Sequence, residues 1–326
     1  MSVKEDVLAL LEGKRGEYIS GTCIAEQLHV SRNAVWKSIH ELKKDGYKIE
    51  AVTNRGYCLC EENDILSVQG MLPYLSHAVI SERIYVHKRL ESTNKTAKEI
   101  AISGAEHGTV IIADCQTAGK GRYGREFHSP PNHGLYISFI LHPAQLCFST
   151  PTLITTRAAV VVCESIEAIS DKRPLIKWVN DIFIDGKKVC GILTEAVMDF
   201  ESGGTQWIVV GIGINVSTPT TDFPGDLRET AGSIFPSNNP FAMRNRLAAE
   251  IVNRLVAPEE QSSEQEMLET YRQRMFVLGQ TVSVLGAGES YGALALTVDD
   301  TGRLIVKKEN GERIPLSAGE IRIQAK

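Results

Sequence analysis

No apolar run in this chain approaches the ~20 residues a helix needs to cross a bilayer. The first residues, Met1-Ser-Val-Lys-Glu-Asp6, carry no secretory pattern. These absences predict a cytoplasmic protein with no membrane partner. Metal-ligand spacing is also missing from the cysteines, which number seven, an odd count. The nearest pair, Cys58 and Cys60, has the spacing of two residues on one face of a strand. The thiols are read as reduced, small and buried, with neither a disulfide framework nor a metal site. Nor does one sign of charge dominate: 35 Lys/Arg against 40 Asp/Glu leave a net of −5. A global basic footprint for nucleic acid is therefore excluded, and only a local one remains open.

What is present is the composition of a globular protein, 43% hydrophobic and 23% charged over 326 residues. That length predicts two or three domains with ample core. The most concentrated chemistry is Gly119-Lys120-Gly121-Arg122-Tyr123-Gly124-Arg125, three glycines and three cations in seven residues. Backbone N–H groups flanked by cations make an anion site. A dinucleotide fingerprint would need a helix to open within this motif. Here Pro130-Pro131 follows, so no helix dipole stands behind the loop and the side-chain cations must meet the charge.

Taken in order, the chain begins with an amphipathic helix over 3–12. Ser20 caps a second helix running to Leu28, and Ser31 caps a third from Arg32 to Lys44. Tyr47–Val52 and Tyr57–Cys60, joined by Thr53-Asn-Arg-Gly56, predict a β-hairpin. Three helices and a two-stranded wing outline a winged helix-turn-helix. Its third helix presents Ser31, Arg32, Asn33, Lys37 and His40 to a major groove, with Arg55 at the wing tip reaching phosphate. Residues 1–60 hold nine Lys/Arg and eight Asp/Glu, a net of +1, so this reading rests on placement rather than total charge.

Glu61-Glu-Asn-Asp64 is an acidic joint and the first boundary. A strand over 83–87, a helix from Ser92 to about Ser103, a strand over 109–114, a strand over 135–141 and a helix from about 152 to 169 follow. Leu175 to Glu195 reads as two strands joined at Asp185-Gly186. Lys177, Asn180 and Asp181 interrupt its apolar sequence and need partners in the protein or a ligand. Gly191 within a strand predicts a close approach. Trp207–Val216 is a strand holding the lone polar Asn215, Thr218–Asn239 a long mobile loop, and 241–256 and 264–274 helices. Short strands at 279–285, 291–298, 303–307 and 320–323 predict an all-β third domain. The domains are 1–63, 64–274 and 275–326.

Ser92-Thr93-Asn94, Gln116-Thr-Ala-Gly-Lys-Gly-Arg122, Lys177-Trp-Val-Asn-Asp181, Gly186-Lys-Lys188 and Gly211-Ile-Gly-Ile-Asn215 occur in this order. With both flanking domains they resemble the biotin–protein ligases, in the bifunctional form that is also the biotin operon repressor. The resemblance implies an α+β fold: a winged helix-turn-helix, a catalytic domain like those of class II aminoacyl-tRNA synthetases, and an SH3-like C-terminal barrel. It implies that biotin and MgATP give biotinyl-5′-AMP, and that a lysine of a biotin carboxyl carrier protein then takes the biotinyl group. It also implies a homodimer promoted by the adenylate, which binds operator DNA. Arg122, Asp181 and Lys188 are the implied catalytic residues. Implied biotin or adenylate contacts are Ser92, Thr93, Asn94, Gln116, Gly119, Lys120, Gly121, Gly124, Arg125, Lys177, Asn180, Gly191 and Asn215, with Arg122 and Lys188 again. No protein metal ligands are implied. Two departures stand out: Val179 where the family usually has proline, and Lys120 and Tyr123 where arginines are common. A biotin-sensing repressor without ligase activity is the alternative, and a lipoate ligase would share the central fold.

Overall fold

The computed structural model describes residues 2–146, 151–198, 204–235, 243–257, 263–285 and 290–323. Helices α1 (Val3–Glu12), α2 (Gly21–Gln27) and α3 (Arg32–Lys44) start where short hydroxyl residues stop the backbone from continuing inward. Ser2, Ser20 and Ser31 each accept a hydrogen bond from a backbone N–H in the first turn. Their apolar faces close on one another through Leu8, Leu11, Ile24, Val35, Ile39 and Leu42. Strands β1 (Ile49–Val52) and β2 (Gly56–Leu59) pair antiparallel from Ile49↔Leu59 to Val52↔Gly56.

The segment beyond the acidic joint docks rather than hangs free. The Arg244 side chain is 2% exposed and pairs with Asp64 at 2.8 Å and Asp114 at 2.6 Å. It also donates to the Gly134 carbonyl at 3.2 Å and to the Asp64 carbonyl. One cation thereby ties Asp64, the last residue of the acidic joint, to Asp114 and Gly134.

The central domain holds α4 (Val68–Met71), β3 (Ile84–His87), α5 (Thr93–Ile102), β4 (Thr109–Ala113), β5 (Gly134–Leu141), α6 (Pro151–Ile169), β6 (Leu175–Lys177), β7 (Asp181–Ile184), β8 (Lys187–Met198), β9 (Thr205–Asn215), α7 (Met243–Val256) and α8 (Glu264–Arg274). The seven strands form one sheet in the order β3-β4-β5-β9-β8-β7-β6, parallel only between β3 and β4. Alternation along the strands divides the core. Val110, Ile112, Ile137, Val210 and Ile212 share a core with α6, α7 and α8, whereas Ile111, Ile140 and Val209 pack under Ala97 and Ala101 of α5.

Two expectations change here. Leu175–Glu195 is three strands, because the chain turns back at 178–180 as well as at Asp185-Gly186; the Trp178–Val179 peptide is cis. The loop after β9 is anchored over its described part. Thr230 accepts from the Lys188 N–H at 2.8 Å, and the N–H groups of Ile234 and Phe235 bond Asn215 and Val216.

The C-terminal sheet has five strands, not four: β10 (Thr281–Leu285), β11 (Tyr291–Val298), β12 (Leu304–Lys307), β13 (Arg313–Leu316) and β14 (Glu320–Ile323), in the order β13-β12-β11-β10-β14. The unexpected strand, β13, contains Pro315. Proline cannot donate to a ladder and is confined to edges, and β13 is an edge strand. Trp178 donates to the Gly302 carbonyl at 3.3 Å, tying this sheet to the central domain.

Candidate functional site

A cleft of about 660 Å³ opens on the α5 face of the central sheet. It exists because the residues under it are small. Gly211 and Gly213 of β9 line it, and Ser138 of β5, in register with Gly211, lies buried under Thr93 and Asn94 of α5. Gly211 is required by a close approach: a Cβ there would stand 2.0 Å from Asn94 Oδ1.

The N-terminus of α5 forms one wall. Ser92 caps the helix, and Thr93 donates from its backbone N–H to Gln116 Oε1 at 2.8 Å. Asn94 is 6% exposed and locked on three sides. Ser138 donates to its Oδ1 at 2.7 Å, while its Nδ2 donates to the Leu193 carbonyl and to Glu195 Oε2. Burial works against the Glu195 carboxylate, yet hydrogen bonds from Lys98 and Asn94 outweigh it and hold the pKa below its ordinary value. Gln116 in turn donates to Ser129 at 3.0 Å.

The floor is a row read across the sheet. Lys177 pairs in register with Asp181, Asp181 with Gly191, Gly191 with Gly213, and Gly213 with Tyr136. This explains why polar residues interrupt apolar sequence here: every second residue faces the cleft. Lys188 breaks the parity. It stands three residues from Gly191, so regular alternation would put the two on opposite faces. A register shift between Ile182 and Phe183 skips Val189 and pairs Phe183 with Lys188. The bulge brings Lys188 to the cleft face. Its Nζ lies 2.7 Å from Asp181 Oδ1, and a Cβ at Gly191 would meet the lysine tip at 3.3 Å, the approach expected of that glycine. Burial lowers the Lys177 pKa, with Asp181 and Glu320 pulling the other way. Asn180 is 9% exposed, donates to the Ile192 carbonyl at 2.7 Å and accepts from Arg122 at 3.3 Å.

The glycine-rich loop forms the roof. It folds back on itself: Gly121 donates to the Arg125 carbonyl at 2.7 Å and Phe127 to the Gly119 carbonyl at 2.9 Å. Tyr123 and Gly124 turn at φ 58° and 73°. Only a single 3₁₀ turn, Arg122–Gly124, interrupts the loop, in keeping with the absence of a helix behind it. Arg122 lies over the Tyr123 ring, and Lys120 is exposed at the mouth. Arg125 is held by Glu320 of the C-terminal sheet, whose carboxyl it pulls below the ordinary range. Asn215 closes the far end, donating to the Gly232 carbonyl at 3.0 Å.

Most residues singled out from the sequence therefore converge. Gly119 is buried beneath the loop and Gly124 sits at its tip, and neither lines the cleft. Sequence reasoning missed Phe127, whose ring lies over Gly213, and missed Ser138 and Glu195. It also missed Glu320, because nothing local in a C-terminal strand marks it for a loop 195 positions earlier. Among the described residues no group of three or more His, Cys, Asp or Glu converges as a metal site would require.

On the first domain, Arg32, Asn33, Lys37 and His40 share the exposed face of α3. The Ser31 hydroxyl is engaged as the helix cap. Arg55 lies 3.9 Å over the Tyr18 ring.

Comparison with known proteins supplies the context. The profile of the biotin/lipoate A/B protein ligase family matches residues 86–215, an HTH domain matches 3–58, and the biotin protein ligase C-terminal domain matches 277–323. The bifunctional ligase/repressor BirA of Bacillus subtilis is 42% identical over 72% of this chain and 71% of that protein. Its namesake in Escherichia coli is 28% identical over 98% of this chain and 96% of its own length. A biotin protein ligase from Aquifex aeolicus, solved with biotin and ATP, is 26% identical and covers 74% of this chain and 99% of its own, with a TM-score of 0.63. All three stretches that the comparisons match are the ones that carry the helix-turn-helix, the cationic cleft and the C-terminal sheet, and the chain belongs to the biotin protein ligase family.

Proposed function

We propose that this chain joins biotin to ATP, giving biotinyl-5′-AMP and pyrophosphate, and transfers the biotinyl group to a lysine of a biotin carboxyl carrier protein. It also represses transcription through its helix-turn-helix, with the adenylate as corepressor. The observation that carries the ligase reading is the gathering of Lys177, Lys188 and Arg122 around one glycine-floored cleft. In the first step a biotin carboxylate oxygen attacks the α-phosphorus and pyrophosphate leaves. Two anionic groups must approach, so repulsion is the obstacle and fixed cations are the remedy. Lys188 and Arg122 take that role, with Asp181 orienting Lys188 until the ligand arrives. In the second step the carrier amine attacks the acyl carbonyl and AMP leaves. The mixed anhydride hydrolyses readily, which suits a loop that closes over it and excludes water.

Ser92, Thr93, Asn94, Gln116, Lys120, Gly121, Arg122, Arg125, Lys177, Asn180, Lys188, Gly191 and Asn215 are assigned to biotin or its adenylate, with Gly119 and Gly124 shaping the loop that carries the cations. Mg²⁺ enters on the ATP phosphates, since that ion keeps its waters and needs few protein carboxylates. The domains are assigned as 1–63, 64–274 and 275–326, the second like a class II synthetase and the third an SH3-like barrel. Ser31, Arg32, Asn33, Lys37, His40 and Arg55 are assigned to operator DNA. A two-fold operator calls for a homodimer promoted by the adenylate, and the setting is cytoplasmic. The deciding experiment mixes pure protein, ATP, biotin and a biotin carrier domain and probes the carrier with avidin. Labelled carrier is expected. Adenylate-dependent DNA binding without labelling would favour a repressor that only senses biotin.

A further inference from the structure

The DNA-facing surface of α3 carries a group that charge-based reading passes over. Trp36 is 56% exposed. It sits among Arg32, Asn33 and Lys37, while Val35, Ser38, Ile39 and Leu42 of the same helix turn into the core. An isolated exposed apolar residue means little. Here two further observations stand with it. His40, one turn on, stacks flat against the indole, with centroids 5.5 Å apart and planes 5° from parallel. The indole is therefore packed against a neighbour that is itself exposed. The first turn of α3 also carries no acid, so the surface around the indole is cationic and amide-bearing. In a helix-turn-helix, the N-terminal residues of the second helix of the motif reach base edges. An apolar side chain in that place has one natural counterpart in the major groove, the thymine C5-methyl.

We propose that Trp36 reads thymine in the operator through apolar contact with its methyl group, and that His40 is a positioning residue that holds the indole in place. This rests on the DNA-binding reading and adds to it a specificity-determining residue. It also changes the part played by His40 from direct contact to support of its neighbour.

The test uses the full-length protein with biotin and ATP. Wild type first selects duplexes from a random pool, and the selected consensus becomes the probe. Affinity is then measured for that duplex, for copies with single thymines replaced by uracil, and for an unrelated duplex of equal length. Trp36→Ala is expected to weaken consensus binding about tenfold or more, the scale of a mismatched pair, and to leave unrelated-duplex binding unchanged. Uracil at one or more positions should weaken wild type but not Trp36→Ala. His40→Ala should give a smaller loss, restored by His40→Tyr, which keeps a stacking ring. Circular dichroism melts establish that each variant folds. Uracil sensitivity retained in Trp36→Ala, or equal losses on consensus and unrelated duplexes, overturns the proposal. Selection of no consensus by wild type instead defeats the DNA-binding reading itself, and the proposal with it.

Discussion

Arg244→Met removes the charge that clasps Asp64, at the end of the acidic joint, to Asp114 and leaves a side chain of similar length. Burial opposes both partners of the main pair. It lifts the Asp64 carboxyl above the ordinary range despite Arg244, while Asp64 and Asp114 still hold the Arg244 pKa above its own ordinary value. Such a pair is a poor net stabiliser, yet removing one member strands the other, at a cost of about 3–5 kcal/mol. The aspartate side chains are 28% and 22% exposed, so water recovers part of the loss and the lower end applies, ~3 kcal/mol. With an m-value of ~3 kcal/mol per molar urea, the midpoint should fall by about 1 M. Urea titration followed by circular dichroism measures this. Adding Asp64→Asn and Asp114→Asn should restore much of the loss, because no uncompensated charge then remains. The reasoning fails if Arg244→Met shifts the midpoint by less than about 0.2 M, or if the triple variant is no more stable than the single one. Since Asp64 ends the acidic joint, Arg244→Met should also weaken adenylate-dependent DNA binding more than it weakens carrier labelling.

Lys188→Ala should slow adenylate formation roughly 10- to 150-fold, the equivalent of a lost charge-assisted bond of ~1.5–3 kcal/mol; an unchanged pyrophosphate burst in single turnover would discount its role. Gly211→Ala pushes a methyl into Asn94, which Ser138 and Glu195 prevent from yielding. Overpacking of this kind costs ~1–3 kcal/mol, and calorimetry should show weakened biotin binding, with native affinity counting against Asn94 as part of the wall. The lowered pKa of Lys177 means that its proton leaves at a lower pH than an ordinary lysine's. Anion affinity should therefore fall as pH rises through that lowered value. In the same window the unfolded chain holds the proton more tightly, so stability should rise with pH while binding declines. Lys177→Arg keeps the charge and should flatten the alkaline limb; an identical limb in the variant would assign it to another group.

The helices of the first domain were legible because their signals are local. Ser20 and Ser31 cap within three residues of themselves, and the apolar spacing of α3 reports its own buried face. The cleft motifs were legible for a related reason: Lys177 and Asp181 interrupt apolar strands at positions that alternation turns toward a ligand. Three matters needed the tertiary structure. Lys188 and Gly191 share a face only because β7 imposes a bulge at Val189, and a strand's own sequence cannot say how its neighbour will pair. Pro315 argues against a strand until the sheet order shows that it lies on an edge. Arg125 with Glu320, and Arg244 with Asp64 and Asp114, meet across more than a hundred residues of chain, which no periodicity reports. Where periodicity runs unbroken, as along α3, the sequence by itself determined which side chains face inward or outward. Which of those side chains meet was decided by the packing of distant segments.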